Sequence, residues 1–237
     1  MIRETQTFLN YFLDNVLVND KNTHTTKGVD GIQGVRTNSA INQALLKLKE
    51  KFKKENLKWN DKFNFIGIRT DNDLDNSFDD WFLLVVDGTL IACPASTVSG
   101  TPGIIKYWNR RINNRTGVGT IAENQQIDYL LVTPKNKKHW NWSWTGAGGF
   151  LFQDNAIRLY RGAVQLKGIW HINKNNPIPN SMGGGFNVHS WIGWVWSIVN
   201  NLSEGCQVCT EKYWKVIFPL LIKYSKNDRV IYTILQW

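Results

Sequence analysis

The first 57 residues carry apolar positions at helical spacing. Phe8, Phe12 and Val16 form one such set; Ile41, Leu45, Leu48 and Phe52 form a second. Each set marks one face of an amphipathic helix. The far side of the second helix carries Lys47, Lys49, Lys51, Lys53 and Lys54 and reads as a solvated face. Between the helices lie a polar loop over 19–27 and the stretch Gly-Val-Asp-Gly-Ile-Gln-Gly-Val-Arg-Thr over 28–37. Its glycines permit left-handed turns, and Thr37 or Asn38 offers a cap for the next helix.

From Phe63 the pattern changes to short β-branched and aromatic runs. Strands are predicted over 63–68, 81–86, 89–93, 129–133, 150–153, 156–160, 186–190 and 230–235. Asp87-Gly88 between two apolar runs predicts a hairpin, and Asp154-Asn155 a second. Loops rich in Gly, Pro and Asn fill 99–103 and 173–185. A last helix is predicted over 210–224, with Pro219 expected to kink or split it. The expected fold class is α+β. A small helical domain spans 1–57, a linker covers 56–62, and a mainly β domain with a C-terminal helix spans 62–237.

Composition narrows the picture in a few places. Apolar residues make up 42% of the 237, enough for a real core. The net charge of +9 suits either a plain basic surface or an anionic partner such as nucleic acid, acidic lipid or cell wall. No nucleic-acid motif accompanies the charge, so nucleic acid is not the expected partner. Charges interrupt the apolar residues of 1–20 and no cleavage site follows, so synthesis in the cytoplasm without a signal peptide is expected. No run is long and apolar enough for a membrane helix, and stable membrane insertion is not expected.

The three cysteines, Cys93, Cys206 and Cys209, are an odd number, which argues against a disulfide framework. Zinc at Cys206-x-x-Cys209 needs two further ligands at matching spacing; no metal or cofactor is expected. Asp71, Asp73, Asp75, Asp79 and Asp80 read as a solvated loop around Phe78, because no glycine sits where a calcium loop needs one. His171 reads as a core or surface histidine. The run His139-Trp140-Asn141-Trp142-Ser143-Trp144 fits either a sugar-stacking ledge or a half-buried strand.

The chemistry-bearing pattern lies near the C-terminus. His189-Ser190 ends one predicted strand, and Ser203-Glu204-Gly205-Cys206-Gln207 follows after a loop long enough to return to it. A thiol is only a few per cent ionised at neutral pH, and a neighbouring imidazole can take its proton and later return it to a leaving amine. Ser190 offers a hydroxyl to orient that imidazole. Gly205 allows a tight turn whose N–H groups, with that of Cys206, can face an oxyanion. A helix starting just after Cys206 is expected to favour the thiolate through its dipole.

Two family resemblances follow from these residues. Val29, Asp30, Gly31, Ile32, Gly34, Arg36 and Thr37, with Ala40 and Ala44 after them, resemble the signature of the peptidoglycan-binding repeat domain. That implies wall contact through Asp30, Gly31, Gly34 and Arg36. Residues 183–208 resemble the L,D-transpeptidase catalytic domain, with Glu204 where that family carries a second histidine. The resemblance implies a β-sandwich with Cys206 as nucleophile, His189 as base and Ser190 orienting it. Ser203 and Gly205 then shape the turn, and Ser203, Glu204, Gln207 and Trp191 are the candidate substrate contacts. Together the two imply a cysteine enzyme acting on bacterial peptidoglycan at the wall, of the phage endolysin type. The alternative is a non-catalytic wall-binding or virion structural protein.

Overall fold

A computed structural model describes residues 1–14, 17, 29–71, 73–74, 78–98, 111–112, 115–116, 119–134, 148–181, 186–191 and 206–237. At 111–112, 115–116 and 191 only the backbone is described. The chain is α+β and mostly strands, with three helices among the described residues: α1 (Ile2–Phe12), α2 (Val35–Lys54) and α3 (Glu211–Tyr224).

Eight strands close into a barrel. They are β1 (Phe63–Arg69), β2 (Asp80–Val86), β3 (Thr89–Ser96), β7 (Gln125–Val132), β8 (Phe150–Phe152), β13 (Val188–Trp191), β14 (Gln207–Thr210) and β15 (Arg229–Gln236). Their order around the barrel is β1-β15-β7-β8-β13-β14-β3-β2. All neighbouring pairs with a described register are antiparallel except β13 and β14, which run parallel. The family resemblance implies a sandwich here, and what the structure has is a closed barrel: seven of the eight strands expected from the sequence lie in it, the one over 156–160 belongs to a smaller sheet, and β14 is not among those expected. Closure of the sheet is set by pairings that periodicity does not encode.

Three smaller sheets carry the remaining strands: β4 (Arg111–Ile112) with β5 (Arg115–Thr116), β6 (Gly119–Ile121) and β12 (Pro177–Ser181) on either side of β9 (Ile157–Arg161), and β10 (Ala163–Leu166) with β11 (Ile169–Ile172). Asp154-Asn155 is therefore not a hairpin turn. β8 pairs with β7 and β13 in the barrel, whereas β9 pairs with β6 and β12. Asp87-Gly88 does sit in the left-handed region at both positions, φ 47° and 79°, as a two-residue hairpin turn requires. The β10–β11 hairpin turns in the same way at Lys167-Gly168, φ 49° and 87°, without the Asn-Gly or Asp-Gly signal.

The chain forms two compact units, one of residues Met1–Ile66 with Phe82–Cys93 and one of Gly67–Trp81 with Pro94–Trp237. In the first, α1 packs on α2, burying Phe8, Leu9 and Phe12 with Ile41, Ala44, Leu48 and Phe52. The same unit takes in most of the β2–β3 hairpin. Thr5 ties α1 to it by accepting the Ala92 N–H at 3.1 Å. In the second, α3 packs on β13 and β14 through Trp214, Ile217, Phe218 and Leu221. α3 runs unbroken through Pro219, which is exposed, so the Lys215 carbonyl that its missing N–H leaves free lies on the solvent side. Gly149 lets this helix sit close: a Cβ there would strike the Phe218 ring and the Val132 carbonyl, and the Trp214 indole donates to the Gly149 carbonyl at 3.0 Å.

Candidate functional site

Parallel pairing brings the two halves of the candidate pair together. Val188 lies opposite Gln207, His189 opposite Val208 and Ser190 opposite Cys209. The Gln207 N–H donates to the Asn187 carbonyl at 2.8 Å, which places Cys206 beside Asn187. Side chains alternate along a strand, so Cys206 shares a face with Val208 and therefore with His189. Cys206 packs with Val208 and Phe78, as that alternation requires. Strand spacing and rise put the Cβ atoms of Cys206 and His189 on a diagonal of about 8 Å.

The other face of β14 turns into the barrel. The Tyr232 hydroxyl on β15 donates to Gln207 Oε1, although three strands separate β15 from β14 in either direction around the barrel. Such a bond runs through the interior. Gly67 makes room for it, since a Cβ there would fall on the Tyr232 hydroxyl. Gln207, Cys209 and Ser190 thus point inward, and Cys206 and His189 outward. Gln207, a candidate substrate contact in the sequence reading, is fully buried and faces the barrel interior. Cys206 and Cys209 face opposite ways and lie about 10 Å apart along the strand, outside disulfide reach.

His189 is 1% exposed and Cys206 9%. His189 Nδ1 lies 2.7 Å from the Ser190 carbonyl oxygen. A carbonyl only accepts, so Nδ1 carries the proton and Nε2 keeps its lone pair, the form a general base needs. Burial pushes the imidazole below its ordinary value; the bond to Ser190 opposes this in part. The Ser190 backbone orients the ring. Its hydroxyl, expected in that role, lies on the opposite face and is buried without a hydrogen-bond partner among the described residues. The helix-dipole expectation changes too. Four residues of β14 stand between Cys206 and α3, about 13 Å of strand, and the helix field fades within its first turn.

Around the pair lies a set of polar groups that periodicity does not single out. Gln153, just past β8, accepts the Phe186 N–H on Oε1 at 3.1 Å and donates through Nε2 to the carbonyls of Asn155 at 2.9 Å and Ser181 at 3.1 Å. Its own N–H donates to Asn187 Oδ1 at 3.0 Å. Tyr129 donates to the Phe186 carbonyl at 2.7 Å. Burial pushes the Tyr129 phenol well above its ordinary value, and a charge on Cys206 adds to that.

The turn at 29–37, the candidate wall contact, is held by a residue that the motif does not contain. Gln6 of α1, 2% exposed, donates to Asp30 Oδ1 at 2.7 Å and to the Ile32 carbonyl at 3.0 Å, and accepts the Gly31 N–H at 2.8 Å. Asp30 also accepts the Ile32 N–H at 2.8 Å. That bond, then the one from Gln6, lowers the Asp30 carboxyl below its ordinary value. Gly31 has φ +83°. Gly34, not Thr37 or Asn38, stands at the N-cap of α2, and the helix starts at Val35. Thr37 is turned inward and buried at 4% exposure. Arg36 lies exposed on the first turn, beside Ile32 and Val35, also exposed.

The acidic loop is not uniformly solvated. Asp80 is buried and accepts from Thr97 N–H at 2.8 Å, Thr97 Oγ1 at 2.6 Å and Thr70 N–H at 2.9 Å. Burial pushes its carboxyl up, against those bonds and the nearby Arg69. Arg69, 1% exposed, is paired with Glu123 at 3.2 Å and donates to the Ile121 carbonyl at 2.9 Å. Asp73 lies 2.6 Å from His171 Nδ1.

Ser203, Glu204, Gly205, His24 and the run 139–144 lie outside the described residues, as does the side chain of Trp191, whose backbone pairs with Thr210 at the end of β13. No group of three or more His, Cys, Asp or Glu side chains suited to a metal occurs among the described residues. No helix among them is long and apolar enough to cross a membrane. Compared with family models, curated proteins and solved structures, the chain matches none.

Proposed function

We propose that this protein is a peptidoglycan-active cysteine enzyme, with an L,D-transpeptidase-like pair of His189 and Cys206. The observation that carries the reading is the shared outward face of these two residues at the parallel β13–β14 junction. His189 Nε2 takes the thiol proton. The Cys206 sulfur attacks a stem-peptide carbonyl, the carbon–nitrogen bond breaks, and the amine leaves with the proton from His189. Water resolving the thioester gives hydrolysis; a second amine gives a cross-link. The turn at 29–37 on the helical unit serves as the wall contact, and the basic surface favours an anionic envelope.

Muropeptide mass spectrometry tests this directly. Purified peptidoglycan incubated with the protein yields new peptide products, and Cys206→Ala yields none while still sedimenting with the wall. Unchanged muropeptides with retained sedimentation support the second reading, a wall-binding protein without turnover, which the 9% exposure of Cys206 favours.

A further inference from the structure

We infer that Gln153 is a positioning residue for the Cys206–His189 pair, acting through the backbone of Phe186 and Asn187. This rests on the cysteine-enzyme reading above. Gln153 is 2% exposed and spends every polar group of its side chain on main chain: Phe186 N–H, Asn155 carbonyl and Ser181 carbonyl. Its backbone N–H takes the Asn187 side chain.

The two residues it holds stand immediately before β13, the strand that carries His189. The same residues reach the thiol side. The Asn187 carbonyl accepts from Gln207, the residue after Cys206, at 2.8 Å. The Phe186 carbonyl accepts from Tyr129 at 2.7 Å. Gln153 therefore sits one hydrogen bond from the base-bearing strand and two from the nucleophile-bearing strand. A shift of its partners changes the separation of the two side chains, and misplacement by about 1 Å can lower a rate by as much as ~100-fold.

The variant Gln153→Ala removes all three side-chain bonds. Gln153→Glu keeps the acceptor for Phe186 N–H. When protonated it also returns one donor, and burial favours that protonated form. The measurement is the rate of iodoacetamide alkylation at Cys206 by peptide mass mapping, from pH 5.5 to 9, beside circular dichroism and melting temperature. Cys93 and Cys209, both 0% exposed, serve as internal controls for unfolding.

The expected result is a folded Gln153→Ala protein whose Cys206 alkylates about tenfold more slowly at pH 7, with the profile displaced toward alkaline pH. Gln153→Glu approaches the wild-type rate at the acid end and departs from it as pH rises. Where peptidoglycan turnover is measured, kcat falls and KM holds. A merely structural role lowers the melting temperature and leaves the alkylation profile of the folded protein unchanged; that outcome overturns the inference. Should Gln153→Ala not fold, Tyr129→Phe, which removes only the bond to Phe186, carries the test. It is expected to slow alkylation about threefold, and a wild-type rate and profile overturns the inference. His189→Ala separates the two levels. If it leaves the wild-type Cys206 profile unmoved, the pairing itself fails. If it moves the profile and the Gln153 variants do not, only the positioning role fails.

Discussion

Gln207 and Cys206 are neighbours in the chain and occupy opposite environments. One completes a polar contact inside the barrel with Tyr232; the other faces outward beside Phe78. At this scale two outcomes are expected. His189 is held neutral by burial below its ordinary value of 6.5. The unfolded chain therefore binds a proton first as pH falls, and native stability is complete above about pH 6.5 and declines below it, levelling off below the folded value. In urea unfolding at pH 8 and pH 5, wild-type protein should lose more stability on acidification than His189→Asn. Equal losses would show that His189 is not buried as described. Gly31, at φ +83°, should tolerate alanine poorly, because a side chain there is strained and its Cβ comes 2.9 Å from Arg3 Nε. Gly31→Ala is expected to lower unfolding free energy by about 1–2 kcal/mol, while Gly34→Ala, in open space with negative φ, stays within about 0.5 kcal/mol.

Elements rest on close approaches that leave little slack. Gly67 on β1 and Tyr232 on β15 occupy the space of one side chain, so Gly67→Ala should destabilise the protein by about 2–3 kcal/mol. Tyr232→Phe removes the nearest atom of the clash, so the double variant should be less destabilised than the sum of the two. Additive losses in a denaturation cycle would contradict the shared-space account. The same contacts show what was legible beforehand. Helical spacing at Ile41, Leu48 and Phe52 and the Asp87-Gly88 turn report local geometry, and both were readable. The four residues of β14 between Cys206 and α3 were not, because Gln207-Val208-Cys209-Thr210 is too short for a period and its pairing with β13 is non-local. Gln6 and Gln153 were hidden for a related reason: a buried glutamine shows its value only when the carbonyls and N–H groups it serves are in place.

For the whole molecule, the proposed task has two parts, wall contact at the turn over 29–37 and acyl transfer at Cys206. The family resemblance singled out His189 and Cys206, and a loop long enough to bring one back to the other was readable from their spacing. The barrel around them was not, since eight short strands can close or stay open with the same alternation. The claim that unites these parts is covalent: the Cys206 sulfur carries an acyl group during turnover. Mass mapping of protein quenched in acid while incubating with purified peptidoglycan tests it most directly. The account predicts that the peptide containing Cys206 gains the mass of a stem-peptide acyl group, and that the gain disappears in Cys206→Ala and falls sharply in His189→Ala. An unmodified Cys206 peptide alongside unaltered muropeptides would contradict it.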